Sequence, residues 1–412
     1  MERLAIIGGG ASGLIAAHWL RRRIDVTVFE KRAELGGNVR TVNGNVSSPS
    51  VPSDLKLETG VLGFHKKSGP VLHALLEELG TAVRTGQPTA SLYRQGHYYP
   101  SNFTDLMTPA IMMQLVKQPA YRRNMNALRS DYAASFRRFT RWDGASEEQV
   151  EALFGPNETV NDFIQSLLAL AFSSTFDRAG SIPASFARQY LKTLRYPDWS
   201  YVEGGVYSYL DSIVRRGNFN VETDCGPVKL RRHDKGVTVQ TKDATFEADA
   251  ALLAVTPGQV LNVLDDADDT ESALFAAWHD REISTTLHTD TRFYAPFGKS
   301  KKTPMDLFVD HNNTARGYNT ALNQFCGLEG STQYSFALGL DDVIRDESVL
   351  LKTDHTVPTY TVEAVETRDE IKALSGRRNT YFAGAWLYDG LHEGAVVSAR
   401  MAVDHLLKVQ VG

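Results

Sequence analysis

The sequence predicts an α/β fold, with a Rossmann-like nucleotide-binding domain assembled from separated pieces of the chain and a second α+β domain between them. Three observations carry this. The chain opens on an apolar run, LAII, that meets a glycine turn, GGGASG, followed by a helical pattern and then VTVFE. A second apolar run, ALLAVTP at 251–257, suits a buried parallel strand. A third, TYFAGA at 380–385, precedes a helix-like stretch that begins near Gly394.

The opening stretch reads as strand, tight turn, helix, strand, with Gly8, Gly10 and Gly13 in the spacing GxGxxG. Gly8 makes the turn, Gly10 lets backbone approach a pyrophosphate, and Gly13 lets the helix lie close on the sheet. Ala11 and Ser12 complete the turn at the helix N-terminus, whose free N–H groups and positive dipole end suit phosphate. Glu30 closes the second strand about 20 residues on, where a carboxylate accepts from ribose hydroxyls. A secretory leader would share the uncharged run from Leu4 to Leu20, but it has no reason to set three glycines in register or to continue into a second strand.

Composition narrows the function. The chain has 412 residues, enough for two or more cores, and a formal net charge of −5, which gives no electrostatic reason to bind nucleic acid. Cys225 and Cys326 cannot build a disulfide framework, no His/Cys spacing suggests a metal, and a reducing cytoplasm fits. The first strand leaves no room for a cleavable leader, and SLLALAF at 166–172 reads as a core helix rather than a membrane span.

After Glu30 comes KRAELGGNVRTV, with Lys31 and Arg32 beside the acid and Gly36-Gly37 allowing a second close backbone approach. With these residues the chain resembles FAD-dependent flavoproteins of the amine oxidase and protoporphyrinogen oxidase-like superfamily. The resemblance implies that LGG lies against the FAD pyrophosphate with Arg40 as its basic companion. The position directly after the glycines, usually Arg in that superfamily, is Asn38 here.

Residues 43–56 read as a loop, and ETGVLGF at 58–64 resembles the segment that runs past the flavin ring, with Gly60 and Gly63 giving it room. Helix VLHALLEELG follows, stopped by Gly80, with His73 on its face and without chemistry. Residues 96–198 read as a helical substrate domain inserted after a first cofactor piece at 1–95. Within it Lys117, Arg122, Arg123, Arg129, Arg137, Arg138 and Arg141 make the 117–142 segment strongly basic: a solvated helix face, or a contact for anionic lipid or an acidic substrate.

The chain returns to the cofactor domain at 199–270. Gly204-Gly205 starts a helix, three short strands form a meander, and Val228 stands where the superfamily touches the adenine end. The runs ISTTLHTDTRFY, DLFVD, GYNTALNQF and YSFALGL predict strands of a second sheet within 271–374. Segments 283–295 and 355–362 also resemble a bacterial group of amine-oxidase-like flavoproteins, and His288 on a strand faces either cavity or solvent.

The final piece, 375–412, matches the superfamily's closing motif in order. Gly384 and Ala385 would pass the pyrophosphate and ribityl chain, while Gly394, Ala395 and Val396 would present backbone N–H groups to the flavin ring. In the amine oxidases proper this motif reads GYMEGA, and its Tyr is one wall of an aromatic pair around the substrate amine. Here that position is Leu391, with His392 beside it and Trp386 and Tyr388 a few residues earlier. His392, Tyr388 and Trp386 are therefore the candidate catalytic or substrate-anchoring residues.

These readings imply non-covalently bound FAD, since GAWLYDGLHEGA holds no cysteine, and an oxidoreductase that takes hydride from a carbon of a lipophilic or unsaturated small molecule. A redox-neutral double-bond isomerase is the alternative, on the likeness of PASFARQYL, LLAVTP and GRRNTYFAG to polyunsaturated fatty acid isomerases; amine oxidation is a further one.

Overall fold

The structure, a computed structural model, describes residues 1–86, 89–94, 97–100, 113, 116–142, 144, 147–194, 199–292, 294, 304–309 and 316–409. Its organising sheet has five parallel strands in the order Asn220–Glu222, Asp25–Phe29, Arg3–Ile7, Ala250–Leu253, Thr380–Phe382. Leu4 pairs with Val26 on one side and with Ala250 on the other, so strands distant in sequence share one ladder. Both faces are covered, which is why these strands are nearly continuous apolar runs. On one face, Leu14 and Ala17 of helix Ala11–Leu20 share a core with Val396, Ala399 and Val403 of helix His392–Val409. On the other lies an antiparallel meander, Lys229–His233, Gly236–Gln240 and Thr245–Ala248, whose Phe246 meets Phe29 edge to face at 4.9 Å.

A seven-stranded sheet forms the second layer system, in the order Val349–Thr359, His279–His288, Ser335–Leu338, Arg316–Ala321, Met305–Val309, Ala90–Arg94, His97–Pro100. Strand Ala90–Arg94 lies just before the boundary expected at residue 95. It runs parallel to Met305–Val309, with the Tyr93 ring stacked on Phe308 at 4.8 Å, and so belongs to this sheet. The run GYNTALNQF departs from expectation, because only its first half is strand. Leu322–Cys326 is a short helix ended by Gly327 at φ +67°, and Asn323 binds Tyr334 N–H and the Thr332 carbonyl, turning the chain back toward the next strand. Helices Pro119–Arg141, Glu158–Ala171 and Ala184–Thr193 pack beside this sheet, the second capped by Asn157.

A buried ion network ties the meander to the last piece of the chain. The Arg232 side chain is 1% exposed and meets Asp266 at 3.0 Å and Glu271 at 2.7 Å, while Arg378 reaches Asp266 at 2.6 Å. Glu271 also closes the capping box of helix Asp269–Ala276. Removing one partner of a buried pair strands the other charge, at a cost of about 3–5 kcal/mol. Glu271→Ala is therefore expected to lower the unfolding free energy by that amount in a denaturant titration. A loss under about 1 kcal/mol would show that the network contributes little.

Candidate functional site

The carboxyl ends of the parallel strands open into a cavity of about 1060 Å³. The first turn delivers one end of it. Gly8 sits at φ +112°, and a Cβ on Gly13 would lie 2.0 Å from the Gly8 carbonyl oxygen, so only glycine lets the helix approach this closely. Helix Ala11–Leu20 starts there with no side-chain cap, leaving its first N–H groups open. Glu30 is held by the N–H groups of Gly9 at 2.8 Å and Arg32 at 3.0 Å, and its remaining lone pairs face the cavity.

Gly8, Gly10, Ala11, Ser12, Glu30, Lys31, Arg32, Gly36, Gly37, Arg40, Gly60, Val228, Gly384, Ala385 and Ala395 all line this one cavity, together with Trp386 and His392. Gly13 lies beneath it, packed on the strand. The fit to an anionic dinucleotide rests on Arg40. Its side chain is buried, makes no ion pair among the described residues, and is held below the ordinary arginine range by burial and by neighbouring Arg32. A buried, unpaired guanidinium costs heavily unless an anion meets it, and a pyrophosphate bound there would supply one. Asn38 acts differently, since its amide donates to the Thr356 carbonyl at 2.8 Å and ties this loop to the long strand Val349–Thr359.

The other end is apolar and aromatic. Leu62, Phe64, Phe172, Tyr318, Phe336 and Leu391 line it, and Gly60 keeps the floor thin, since a Cβ there would meet the Asn38 carbonyl oxygen at 2.2 Å. Trp386 is buried, with its indole N–H on the Val255 carbonyl at 3.3 Å and its ring against Trp278.

Three expectations need correction. Tyr388 does not line the cavity: it is 43% exposed, because Arg368 holds its carbonyl at 2.6 Å and the excursion turns outward. Val396 is fully buried in the core between the helices. The N–H groups expected to face a ring are already engaged, Ala395 N–H on the Leu391 carbonyl and Gly394 N–H on Asp389, which also accepts from Leu391 N–H at 2.8 Å. Asp389 therefore caps this helix, and burial pushes its carboxyl up to about 6.

Histidines take places that the sequence leaves open. His288 faces neither cavity nor solvent; it is buried on Asn319 at 2.9 Å. His355, which sequence reasoning passed over, is buried in the cavity wall beside Gly60, within 3.1 Å of the Thr285 hydroxyl, and burial pulls it down to about 4. Its signal, one polar residue in a period-two strand, does not separate wall from surface. His392 stacks on Phe64 at 4.8 Å and meets the Tyr209 hydroxyl at 2.6 Å, and burial lowers it to about 4.

Comparisons with known proteins identify a family and a fold. The family described as flavin containing amine oxidoreductase matches residues 11–294. Protoporphyrinogen oxidase 2, chloroplastic/mitochondrial, of Arabidopsis thaliana is 30% identical over 118 residues, a match that takes in 28% of this chain and 20% of that one. Two solved structures share the fold along essentially the whole chain. The cyclohexylamine oxidase of Brevibacterium oxydans IH-35A has a TM-score of 0.68 at 14% identity, covering 100% of both chains. A CLA-producing fatty acid isomerase from P. acnes has a TM-score of 0.65 at 15% identity, covering 99% of this chain and 98% of that one.

Behind the cavity, Glu58 supports the segment that carries Gly60. It is buried, accepts from Val206 N–H at 2.7 Å and the Thr41 hydroxyl at 2.9 Å, and burial pushes its carboxyl from 4.5 up to about 8. Because the folded value lies above the unfolded one, this group's contribution to stability is complete below about pH 4.5 and is lost as pH rises through about 8. Unfolding free energy is expected to fall across that window by a few kcal/mol, since each pH unit separating the folded and unfolded values corresponds to about 1.4 kcal/mol. Glu58→Gln, neutral throughout, is expected to flatten the profile; parallel profiles for the two proteins would refute the assignment.

Proposed function

The chain belongs to the flavin containing amine oxidoreductase family and is a flavin-dependent oxidoreductase, and on that premise we propose that it binds FAD without a covalent link and oxidises a lipophilic or unsaturated small molecule. When bound, the flavin supplies a hydride acceptor. Glu30 would hold the adenosine ribose, Arg40 and the open start of helix Ala11–Leu20 the pyrophosphate, and Gly60 the approach to the ring. The substrate would lie in the aromatic end, oriented by packing and shielded from water.

One observation carries the choice of substrate. Four carboxylates line the cavity beyond Glu30 and Glu34, and each already accepts hydrogen bonds from the protein. Asp280 takes the Thr256 hydroxyl, Glu282 the Thr356 hydroxyl, Asp389 the Leu391 N–H, and Glu393 the N–H groups of Val71 and Leu72. Each is thus tied to the protein's own structure, and Leu391 offers no ring face to a cation. The apolar wall suits hydrocarbon. The same wall also suits the alternative reading, a redox-neutral double-bond isomerase, whose substrate is equally an alkene. Amine oxidation stands third.

Under anaerobic conditions, unsaturated lipids are expected to bleach the bound flavin or to be isomerised, while simple mono- and polyamines leave it oxidised. Rapid bleaching by those amines would overturn the substrate assignment. Acid precipitation of the holoenzyme is expected to leave all yellow colour in the supernatant, and colour in the pellet would refute non-covalent binding.

For the partner surface, we propose that the basic helix touches anionic lipid. Lys117, Arg122, Arg123, Arg137 and Arg141 are exposed, and Met113 and Val116 before them are 57% and 77% exposed. Arg138 turns inward onto Ser135 and the Leu153 carbonyl, and the Arg129 side chain lies outside the described residues. Basic side chains beside bare apolar ones suit a headgroup boundary. Vesicles containing phosphatidylserine are expected to sediment the protein at low salt, and Arg122→Glu with Arg123→Glu to abolish this. Equal sedimentation with neutral vesicles would overturn the electrostatic part.

A further inference from the structure

His392 and Tyr209 form a pair whose hydrogen count is decided by burial. Tyr209, on helix Tyr207–Arg216, is fully buried, and its hydroxyl has one polar neighbour among the described residues, His392 Nε2 at 2.6 Å. A buried hydroxyl has one hydrogen to place, and the only acceptor within reach among those residues is that nitrogen. If Nε2 carried the ring proton instead, the phenolic oxygen would accept it and the phenolic hydrogen would be left without an acceptor among those residues. Nε2 is therefore the acceptor, and in the neutral ring the proton belongs to Nδ1. Phe64, stacked on the imidazole at 4.8 Å, holds the ring plane.

Nδ1 has no partner among the described residues and is not among the sealed-in unsatisfied atoms, so it keeps contact with open space. The open space beside His392 is the cavity that it lines. We propose that Tyr209 is a positioning residue that fixes the His392 proton on Nδ1, making His392 a neutral hydrogen-bond donor to an acceptor oxygen of the molecule bound in the cavity and not a base. The inference concerns the same cavity as the proposed function but stands apart from the reaction assigned to it.

The ring is contacted by Tyr209 and Phe64, and the titratable residues closest in sequence to it and to Phe64 are Asp389, Glu393 and His65. Asp389 and Glu393 are each engaged with backbone N–H groups, so neither competes for the ring proton. Burial without a paired anion keeps the imidazole uncharged through the neutral range.

The test is nitrogen NMR of the holoenzyme labelled at its 11 histidines, with the His392 signals identified by their loss in His392→Gln. A protonated-type shift on Nδ1 and an unprotonated-type shift on Nε2, both unchanged from pH 5.5 to 8.5, are expected. Tyr209→Phe removes the donor to Nε2, and is expected to move both shifts toward a mixture of the two forms and to raise the pH at which the ring titrates. A proton on Nε2 in the native protein, a native titration near pH 6.5, or an unaltered spectrum in Tyr209→Phe would each overturn the assignment. Should Tyr209→Phe fail to fold, the native spectrum alone decides. Spectra with flavin bound and removed separate the acceptor's source: an Nδ1 shift that changes on removal assigns the oxygen to the flavin, and one that changes only on adding an unsaturated lipid assigns it to substrate. The readout does not depend on flavin reduction, so failure here is distinguishable from failure of the proposed reaction.

Discussion

Strand Arg3–Ile7 is buried on both faces and both edges, and that constraint organises the molecule. Each of its backbone polar groups needs a parallel partner, and parallel partners are reached only through long crossovers. One partner, Asp25–Phe29, is supplied locally by helix Ala11–Leu20; the other, Ala250–Leu253, returns after more than two hundred residues. Everything between is a connection that must leave the sheet and come back. The cavity forms at the carboxyl ends of these strands because that is where each turn uncovers backbone N–H groups and where the returning chain cannot close over them.

What was legible in the sequence was what depends on near neighbours. The strand, glycine turn and helix announce themselves because each residue's role is set by residues a few places away, and the acid at Glu30 has a spacing fixed by one helix and one strand. The buried run at 251–257 and the closing run at 380–385 are readable for the same reason, since strands covered on both faces lose their polar alternation. Pairings across the second sheet were less accessible. Ala90–Arg94 looks like any short strand, and only the Tyr93–Phe308 stack and the register to Met305–Val309 show which sheet owns it. Tyr388 and Val396 sit in a well-matched motif, yet one is turned out by a single hydrogen bond from Arg368 and the other is drawn into the helix interface. His355 and Tyr209 carry no distinguishing local signature, because distant elements bring the first into the wall and bury the second beneath it.

The two ends of the cavity follow opposite electrostatic rules. At one, Arg40 is buried with no ion pair among the described residues and the helix start is uncapped, so the site favours an anion. At the other, charge is silenced. Carboxylates are engaged by N–H groups and hydroxyls, and burial holds His355 and His392 neutral. A single cavity thus offers a positive field at one end and an apolar shape at the other.

The route of the chain through the seven-stranded sheet has a consequence for divergence. Phe172, Tyr318 and Phe336 stand on segments inserted between strands of the parallel sheet, and none contributes to the ladder that joins Leu4, Val26 and Ala250. Substitution there alters one wall while the pairing that builds the nucleotide end keeps its register. A chain of this shape can therefore exchange one cavity lining for another while the strand ladder stays intact. Such drift is opposed at Gly60, where an added Cβ would meet the Asn38 carbonyl oxygen at 2.2 Å.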